Sequence, residues 1–243
     1  MTWCIAGAGR RLPPRLREKI PSVAAALVSG VLLGAAGTPQ EAVTAAERSV
    51  LRRPLVEWNP IPYGPERKRQ MAAYSARHYG HRRWRLLRKR VIVLHFTGGS
   101  SYDSAWNTFA ANSPSHGELP GVCTHYIVAR GGVVYQLVRL GVRCRHAIGL
   151  NHRSLGIEMV QPLGRGPHWA AQRILHRRPQ IRATLRLVRY LRARFGIPMP
   201  HVIGHAMANS SPYFRDLRGW RNDHSDWLRR DAKAFRRRLA RIS

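Results

Sequence analysis

The sequence contains few acidic residues. Only 12 Asp and Glu residues stand against 42 Lys and Arg residues among 243, which gives a formal net charge of +30 at pH 7. Such a charge favours polyanionic partners: nucleic acid, anionic lipid or an anionic cell-wall polymer. No helix-turn-helix, RNP aromatic motif or zinc-finger spacing accompanies the charge, so we expect no specific nucleic-acid partner.

Cysteine is also scarce, with only Cys4, Cys123 and Cys144 in the whole chain. Neither Cys123 nor Cys144 lies in a C-x-x-C spacing, so we do not predict that they bind zinc. If Cys4 is removed with a leader, the other two remain as a pair. They would then form a disulfide in an oxidising compartment or stay as two buried thiols.

Residues 1–37 have the order of a leader: basic residues, then an apolar stretch, then small residues. This order is typical of a secretory signal, although a membrane anchor is the alternative. We therefore expect a secreted or cell-envelope protein. Residues 38–87 are basic and rich in proline, and they predict a linker with one short helix.

Residues 88–243 predict a single domain with mixed strands and helices. Strand patterns cover five segments: Val91–Phe96, Thr124–Ala129, Val133–Val138, Leu155–Val160 and His201–Ile203. Helical spacing covers three more: Ser104–Ala111, Gln180–Phe195 and Asp226–Ile242. The Arg130-Gly131-Gly132 turn joins two strands into a hairpin. The fold class is therefore α/β, with a mixed central β-sheet flanked by α-helices.

Glu158 is the only acidic residue between Glu118 and Asp216, and it lies within an apolar run. A carboxylate buried in a strand needs either an ion-pair partner, such as one of the many arginines, or a chemical role. His95 lies in a similar apolar run, in the segment VIVLHFT. The two polar residues together favour a chemical role.

Four separated segments carry a resemblance to a known family. They are VIVLHFTGG at 91–99, THYIVARGGVVYQLV at 124–138, RHAIGLNHRSLGIEMV at 145–160 and HVIGHA at 201–206, followed by an acidic motif at 223–226. In content and order they resemble the zinc-dependent N-acetylmuramoyl-L-alanine amidases of the type 2 family, which includes the peptidoglycan recognition proteins. The resemblance covers residues 88–230.

The resemblance implies a Zn²⁺ cofactor with His95, His205 and Asp226 as ligands. It also implies that Glu158 is the catalytic residue that activates water. His224 stands where the family commonly has a lysine, and it matches a second catalytic residue that stabilises the oxyanion or protonates the leaving amine. The alternative is that His224, rather than Asp226, is the third zinc ligand.

Two further histidines match family positions near the substrate. His125 and His146 are expected to bind substrate, although His125 is equally compatible with a core histidine whose hydrogen bonds are satisfied. Asn151 and Ser154 are expected to form structural hydrogen bonds.

The resemblance implies hydrolysis of the amide bond between N-acetylmuramic acid and L-alanine in peptidoglycan. The expected partners are therefore peptidoglycan or muropeptides, together with anionic cell-wall polymers, and we expect a monomer. Two alternatives stay open: a non-catalytic peptidoglycan-binding sensor of the same fold, and a polyanion-binding protein.

Overall fold

The computed structural model describes residues 53–242, so the leader predicted at 1–37 lies outside the described residues. A single six-stranded sheet organises this part of the chain. Its strands are β1 Glu57–Trp58, β2 Val91–Gly98, β3 Tyr126–Val128, β4 Val134–Gln136, β5 Ser154–Pro162 and β6 Val202–Gly204. Their order across the sheet is β1-β4-β3-β5-β2-β6.

The sheet is mixed, as the sequence predicted. Strands β3 and β4 form the expected antiparallel hairpin, whereas β3, β5, β2 and β6 run parallel to one another. Parallel neighbours need crossover connections, and helices supply them. The predicted α/β class is therefore confirmed.

Between residues 53 and 242, five α-helices accompany the sheet: α1 Pro65–Tyr79, α2 Tyr102–Ala110, α3 Pro167–His176, α4 Arg178–Phe195 and α5 Arg229–Ala240. Helix α3 was not predicted, because glycines at 164 and 166 precede it and a single residue separates it from α4. Proline at its first turn is nevertheless a helix-start signal. Within 53–242, none of the helices combines the length and apolar character that a membrane span needs.

The two faces of the sheet pack against different layers. Side chains alternate along each strand, so residues 155, 157 and 159 of β5 pack with α3, α4 and α5 in the largest hydrophobic cluster. The intervening residues of β5 point to the opposite face. There Val91 and Val93 of β2 pack with Ile203 and with the segments around Leu150 and Met207. His95 continues the series 91, 93, 95 on this second face.

Residues 57–87 fold onto the domain, which corrects the predicted linker. Arg67 of α1 is only 3% exposed, and its guanidinium donates to the carbonyls of Phe109 and Val122 at 2.8 and 2.9 Å. Arg143 reaches back to Ser75 Oγ at 2.6 Å. Arg67 and Arg143 are thus buried and bound by carbonyl oxygens rather than solvated.

Helix α1 also contacts the long segment before the acidic motif. His78, which is fully buried, lies between two carboxylates: its Nδ1 is 2.8 Å from Asp216 and its Nε2 is 3.0 Å from Glu118. These contacts tie α1 to two loops that are distant in sequence. The folded domain therefore begins earlier than residue 88.

Cys123 and Cys144 form a disulfide, with their Cα atoms 5.2 Å apart. Both residues are fully buried, in the cluster that also contains Phe109 of α2 and Ile127 of β3. The bond joins the segment before β3 to the segment before β5. Of the two states left open by the sequence, the structure has the bonded one.

Replacing Arg67 with Met should destabilise the domain, because the carbonyl oxygens it binds would lose their donor within the protein. We expect a loss of about 3 kcal/mol in the free energy of unfolding. Arg69→Met, two residues further along α1, removes only an exposed pair with Glu66 and should cost about 0.5 kcal/mol or less. Urea unfolding of both variants checks this, and equal losses would refute a buried anchoring role for Arg67.

Candidate active site

Strand register brings three of the predicted site residues together. In the parallel pair β2 and β5, His95 lies directly opposite Glu158. On the other side of β2, Leu94 pairs with Gly204, so His205 follows at the level of His95. Residues at equivalent positions of paired strands point to the same face, and this is the face opposite α3, α4 and α5. The residues lie far apart in sequence, yet they form one row across the sheet.

Asp226 joins this row because its backbone lies directly against β6. The carbonyl of Asp226 accepts a hydrogen bond from the Ala206 amide at 3.0 Å. Gly204 makes this approach feasible, because a Cβ there would collide with the carbonyl oxygen of Trp227. The Trp227 indole then donates to the carbonyl oxygen of His95 at 3.2 Å.

His95, His205 and Asp226 form a group that could hold a metal ion. The two Nδ1 atoms are 3.0 Å apart, and the Asp226 carboxylate oxygens lie 3.2 Å from Nδ1 of His95 and 2.9 Å from Nδ1 of His205. All three residues are buried. Burial alone would raise the pKa of Asp226, but the neighbouring His205 holds that pKa well below its ordinary value. The carboxylate is therefore ionised.

His224 is placed beside the metal group rather than in it. Its ring stacks on the ring of His205, with centroids 4.5 Å apart and planes only 15° apart. A stacked ring presents its face, not a nitrogen lone pair, to the neighbouring residue. Among the described residues, the third donor of the group is Asp226. His224 is largely exposed, and partial burial together with His205 lowers its pKa.

Glu158 is 8% exposed, and its Oε2 atom has no hydrogen-bond partner among the described residues. No arginine pairs with it, which removes the ion-pair alternative within this part of the chain. Burial, and then the charge of Asp226, raises the pKa of Glu158 well above 4.5. A carboxyl group in this state can accept and hold a proton near neutral pH.

His125 lies in the core, so its role in binding substrate stays a prediction that the structure does not favour. The residue is fully buried, its Nε2 donates to the carbonyl oxygen of Val142 at 3.0 Å, and its Nδ1 accepts from the amide of Gly156 at 3.0 Å. Burial lowers its pKa to about 4, so the ring is neutral. The alternative interpretation, a core histidine with satisfied hydrogen bonds, fits these contacts.

His146 lies next to His95, and both of its ring nitrogens are engaged within the protein. Nδ1 is 3.1 Å from Nε2 of His95, and Nε2 is 3.2 Å from Oγ of Ser154. Binding of substrate by His146 stays a prediction, but neither nitrogen is free to make that contact. Ser154, which was expected only to form structural hydrogen bonds, thus touches a neighbour of the metal group. The alternation Ser154, Gly156, Glu158 along the site face of β5 was the signal available in the sequence.

Glu158→Gln should stabilise the metal-free protein at neutral pH but not at pH 4. In the folded protein, the raised pKa lets Glu158 keep its proton at pH values where the unfolded chain has already lost it. The free energy of unfolding therefore falls as pH rises from about 4.3, the pKa of Glu158 in the unfolded chain, to its raised pKa in the folded protein. Glutamine avoids that loss, and we expect a gain of about 2 kcal/mol at pH 7.

The measurement is urea unfolding of both proteins at pH 4 and pH 7 with a chelator present. Glu57→Gln, at an exposed residue of β1, is the control and should give no such gain. An equal gain from Glu158→Gln at both pH values would contradict the raised pKa.

Residues 85–225 match the family model described as N-acetylmuramoyl-L-alanine amidase, a span that holds His95, Glu158 and His205 and ends one residue before Asp226. No curated protein matches the chain.

Solved amidase structures are similar to parts of the chain. One is the endolysin amidase LysCS from Clostridium intestinale URNW, with 15% identity, coverage of 76% of this chain and 96% of that chain, and a TM-score of 0.44. Another is AmiD from E. coli in complex with anhydro-N-acetylmuramic acid-L-Ala-D-gamma-Glu-L-Lys, with 25% identity, 49% and 48% coverage and a TM-score of 0.39. A third is the Ph2119 endolysin of Thermus scotoductus MAT2119 bacteriophage Ph2119, with 24% identity, 50% and 73% coverage and a TM-score of 0.37. Because the family model matches more than half of the residues, the chain belongs to the N-acetylmuramoyl-L-alanine amidase family.

Proposed function

We propose that this protein is a zinc-dependent hydrolase that cleaves the amide bond between N-acetylmuramic acid and L-alanine in peptidoglycan. The observation that carries the proposal is the convergence of His95, His205 and Asp226 on one point, in the row of residues that includes Glu158. Family membership supplies the substrate class.

The donor set suits zinc. Two imidazole nitrogens and one carboxylate oxygen are ligands that catalytic zinc sites use, with a fourth position left for water or substrate. Atoms that each lie about 2 Å from a tetrahedral zinc are about 3.3 Å apart. The separations of 2.9 to 3.2 Å within the group are close to this value. The absence of cysteine from the group separates it from structural zinc sites rich in thiolate.

When bound, zinc would polarise the scissile carbonyl and lower the pKa of a coordinated water from about 15.7 toward neutrality. With zinc in place, its positive charge would favour the ionised form of Glu158, which would then accept the proton of the attacking water. The proton would then pass to the nitrogen of the leaving L-alanine. His224, exposed at the surface beside His205, is placed to donate a hydrogen bond to the developing negative charge.

A sensor without activity is the main competing function within the same fold. Such a protein would not need a complete donor set or an unpaired buried carboxylate. Here three residues that could hold a metal are present, and Oε2 of buried Glu158 has no hydrogen-bond partner among the described residues. Burying an unpaired carboxyl group costs stability, which favours a chemical role over passive binding.

Digestion of purified peptidoglycan tests the proposal. The purified protein should release stem peptides that begin with L-alanine, identified by mass spectrometry. A chelator should abolish the release and added zinc should restore it. Peptidoglycan that is bound but remains uncut would instead identify a sensor.

The same digestion with variants assigns the roles. Glu158→Gln should still bind zinc but lose about 100-fold or more of its activity, the range expected for removing a general base. His205→Ala should lose both the metal and the activity. Glu66→Gln, at an exposed residue of α1, is the control and should digest like the unaltered protein. Near-normal turnover by Glu158→Gln would remove that residue from the mechanism.

We also propose that the protein acts outside the cytoplasm, on the cell envelope. The leader pattern at 1–37 supports this, as does the disulfide, which is rare in reducing compartments. The net charge of +30 supports retention on anionic cell-wall polymers. Cell fractionation at low and high salt tests both points: we expect protein in the envelope fraction that salt releases, and protein confined to the cytosol would refute the placement.

A further inference from the structure

A line of hydrogen bonds runs from the metal group into the body of the domain. It passes from His95 to His146, then to Ser154, and ends at the backbone carbonyl of Leu150. Each contact needs one proton, and the donors available along the line determine where each proton lies.

The last contact fixes the first proton. Ser154 Oγ is 2.8 Å from the carbonyl oxygen of Leu150. Two oxygens at this distance need a proton between them, and only the hydroxyl can supply it. Ser154 must therefore accept at its other contact, so His146 is protonated at Nε2.

The next contact fixes the proton of His95. No carboxylate among the described residues contacts the His146 ring to stabilise a second proton, so the ring is neutral and its one proton is on Nε2. Its Nδ1 atom therefore carries a lone pair. Because that atom is 3.1 Å from Nε2 of His95, His95 is the donor and is protonated at Nε2.

The consequence appears at the other nitrogen of His95. A neutral imidazole carries one proton, and the contact with His146 places that of His95 on Nε2. Its Nδ1 lone pair therefore faces His205 and Asp226. The proton within the group is the one on Nδ1 of His205, which donates to Asp226 at 2.9 Å. A bare nitrogen of His95 and a carboxylate oxygen then face each other 3.2 Å apart, an arrangement that a bound cation would stabilise.

The surrounding structure holds His146 in place for this role. Asn151 Oδ1 accepts from the backbone amides of His146 and Ala147, each at 2.8 Å. Gly156 leaves room for the ring, because a Cβ at that position would come within 2.8 Å of Cγ of His146. These contacts fix the loop and the ring independently of any metal.

We propose that His146 and Ser154 are positioning residues that hold His95 in the tautomer whose Nδ1 lone pair is presented to the metal. This role rests on the proposed function, since it concerns the same metal site. It differs from the predicted binding of substrate by His146, because it acts through His95 and needs no contact with peptidoglycan.

Ser154→Ala in the full-length protein tests the role. Without the hydroxyl, nothing fixes the proton of His146 at Nε2, and His95 is free to adopt the other tautomer. We expect zinc to bind about tenfold more weakly, measured by competition with a fluorescent chelator. Long-range ¹H–¹⁵N NMR spectra of the metal-free protein should change from one defined tautomer at His95 and His146 to a mixture.

Thr184→Val is the matched control. The Thr184 hydroxyl is buried in α4 and donates to the carbonyl oxygen of Gln180 at 2.9 Å, four residues earlier, as Ser154 does to Leu150. Its removal should cost similar stability but leave zinc affinity and both tautomers unchanged.

Two results would overturn the role: zinc affinity of Ser154→Ala within twofold of the unaltered protein, or protonation of His95 at Nδ1 in the unaltered metal-free protein. If the unaltered protein bound no zinc, the proposed function would lose its metal. The NMR spectra would still show whether Ser154 and His146 fix the His95 tautomer.

Discussion

The site depends on the parallel pairing of β5, β2 and β6. A shift of one residue in the pairing of β2 with β5 would turn Glu158 toward the hydrophobic layer of helices, because side chains alternate along a strand. The same alternation gives β5 two sets of residues: Leu155, Ile157 and Met159 pack against the helices, whereas the residues between them serve the site. The pairing register of these strands therefore determines both the packing of the core and the placement of the site.

The scarcity of acidic residues shapes the rest of the interior. Arg145, like Arg67 and Arg143, is almost fully buried, and its guanidinium donates to the carbonyls of Glu118 and Ser115 at 2.7 Å each. With so few carboxylates available, backbone oxygens take their place as partners of buried cations. The buried carboxylates lie beside histidines at the site, at His78 and at His168, except that Oε2 of Glu158 has no hydrogen-bond partner among the described residues.

The sequence predicted the central strands well, because apolar β-branched runs leave little choice of structure. It also located His95, Glu158 and His205, since polar residues in such runs are conspicuous. The early elements were predicted only as a linker with one short helix. The two-residue β1 was not placed, and the buried side of α1 mixes Met71, Tyr74 and Tyr79 with polar residues such as Arg67, which weakens its apolar pattern. Hydrophobic periodicity is a weak signal for a face that is partly buried through hydrogen bonds.

The choice between Asp226 and His224 could not be made from spacing, because both follow β6 through an irregular segment. Contact with β6 at Gly204 brings Asp226, and not His224, into the candidate metal group, and that contact is visible only in three dimensions. His125 and His146 posed a similar problem. Both lie near strands in the sequence. The ring of His125 is bound entirely by backbone groups, however, whereas the ring of His146 contacts His95.

The residues of the candidate metal group come from widely separated parts of the chain, with His95 and His205 separated by 110 residues and Asp226 a further 21 residues on. A ribosome must therefore synthesise the chain as far as residue 226 before all three residues exist. A nascent chain shorter than this cannot contain the complete candidate site.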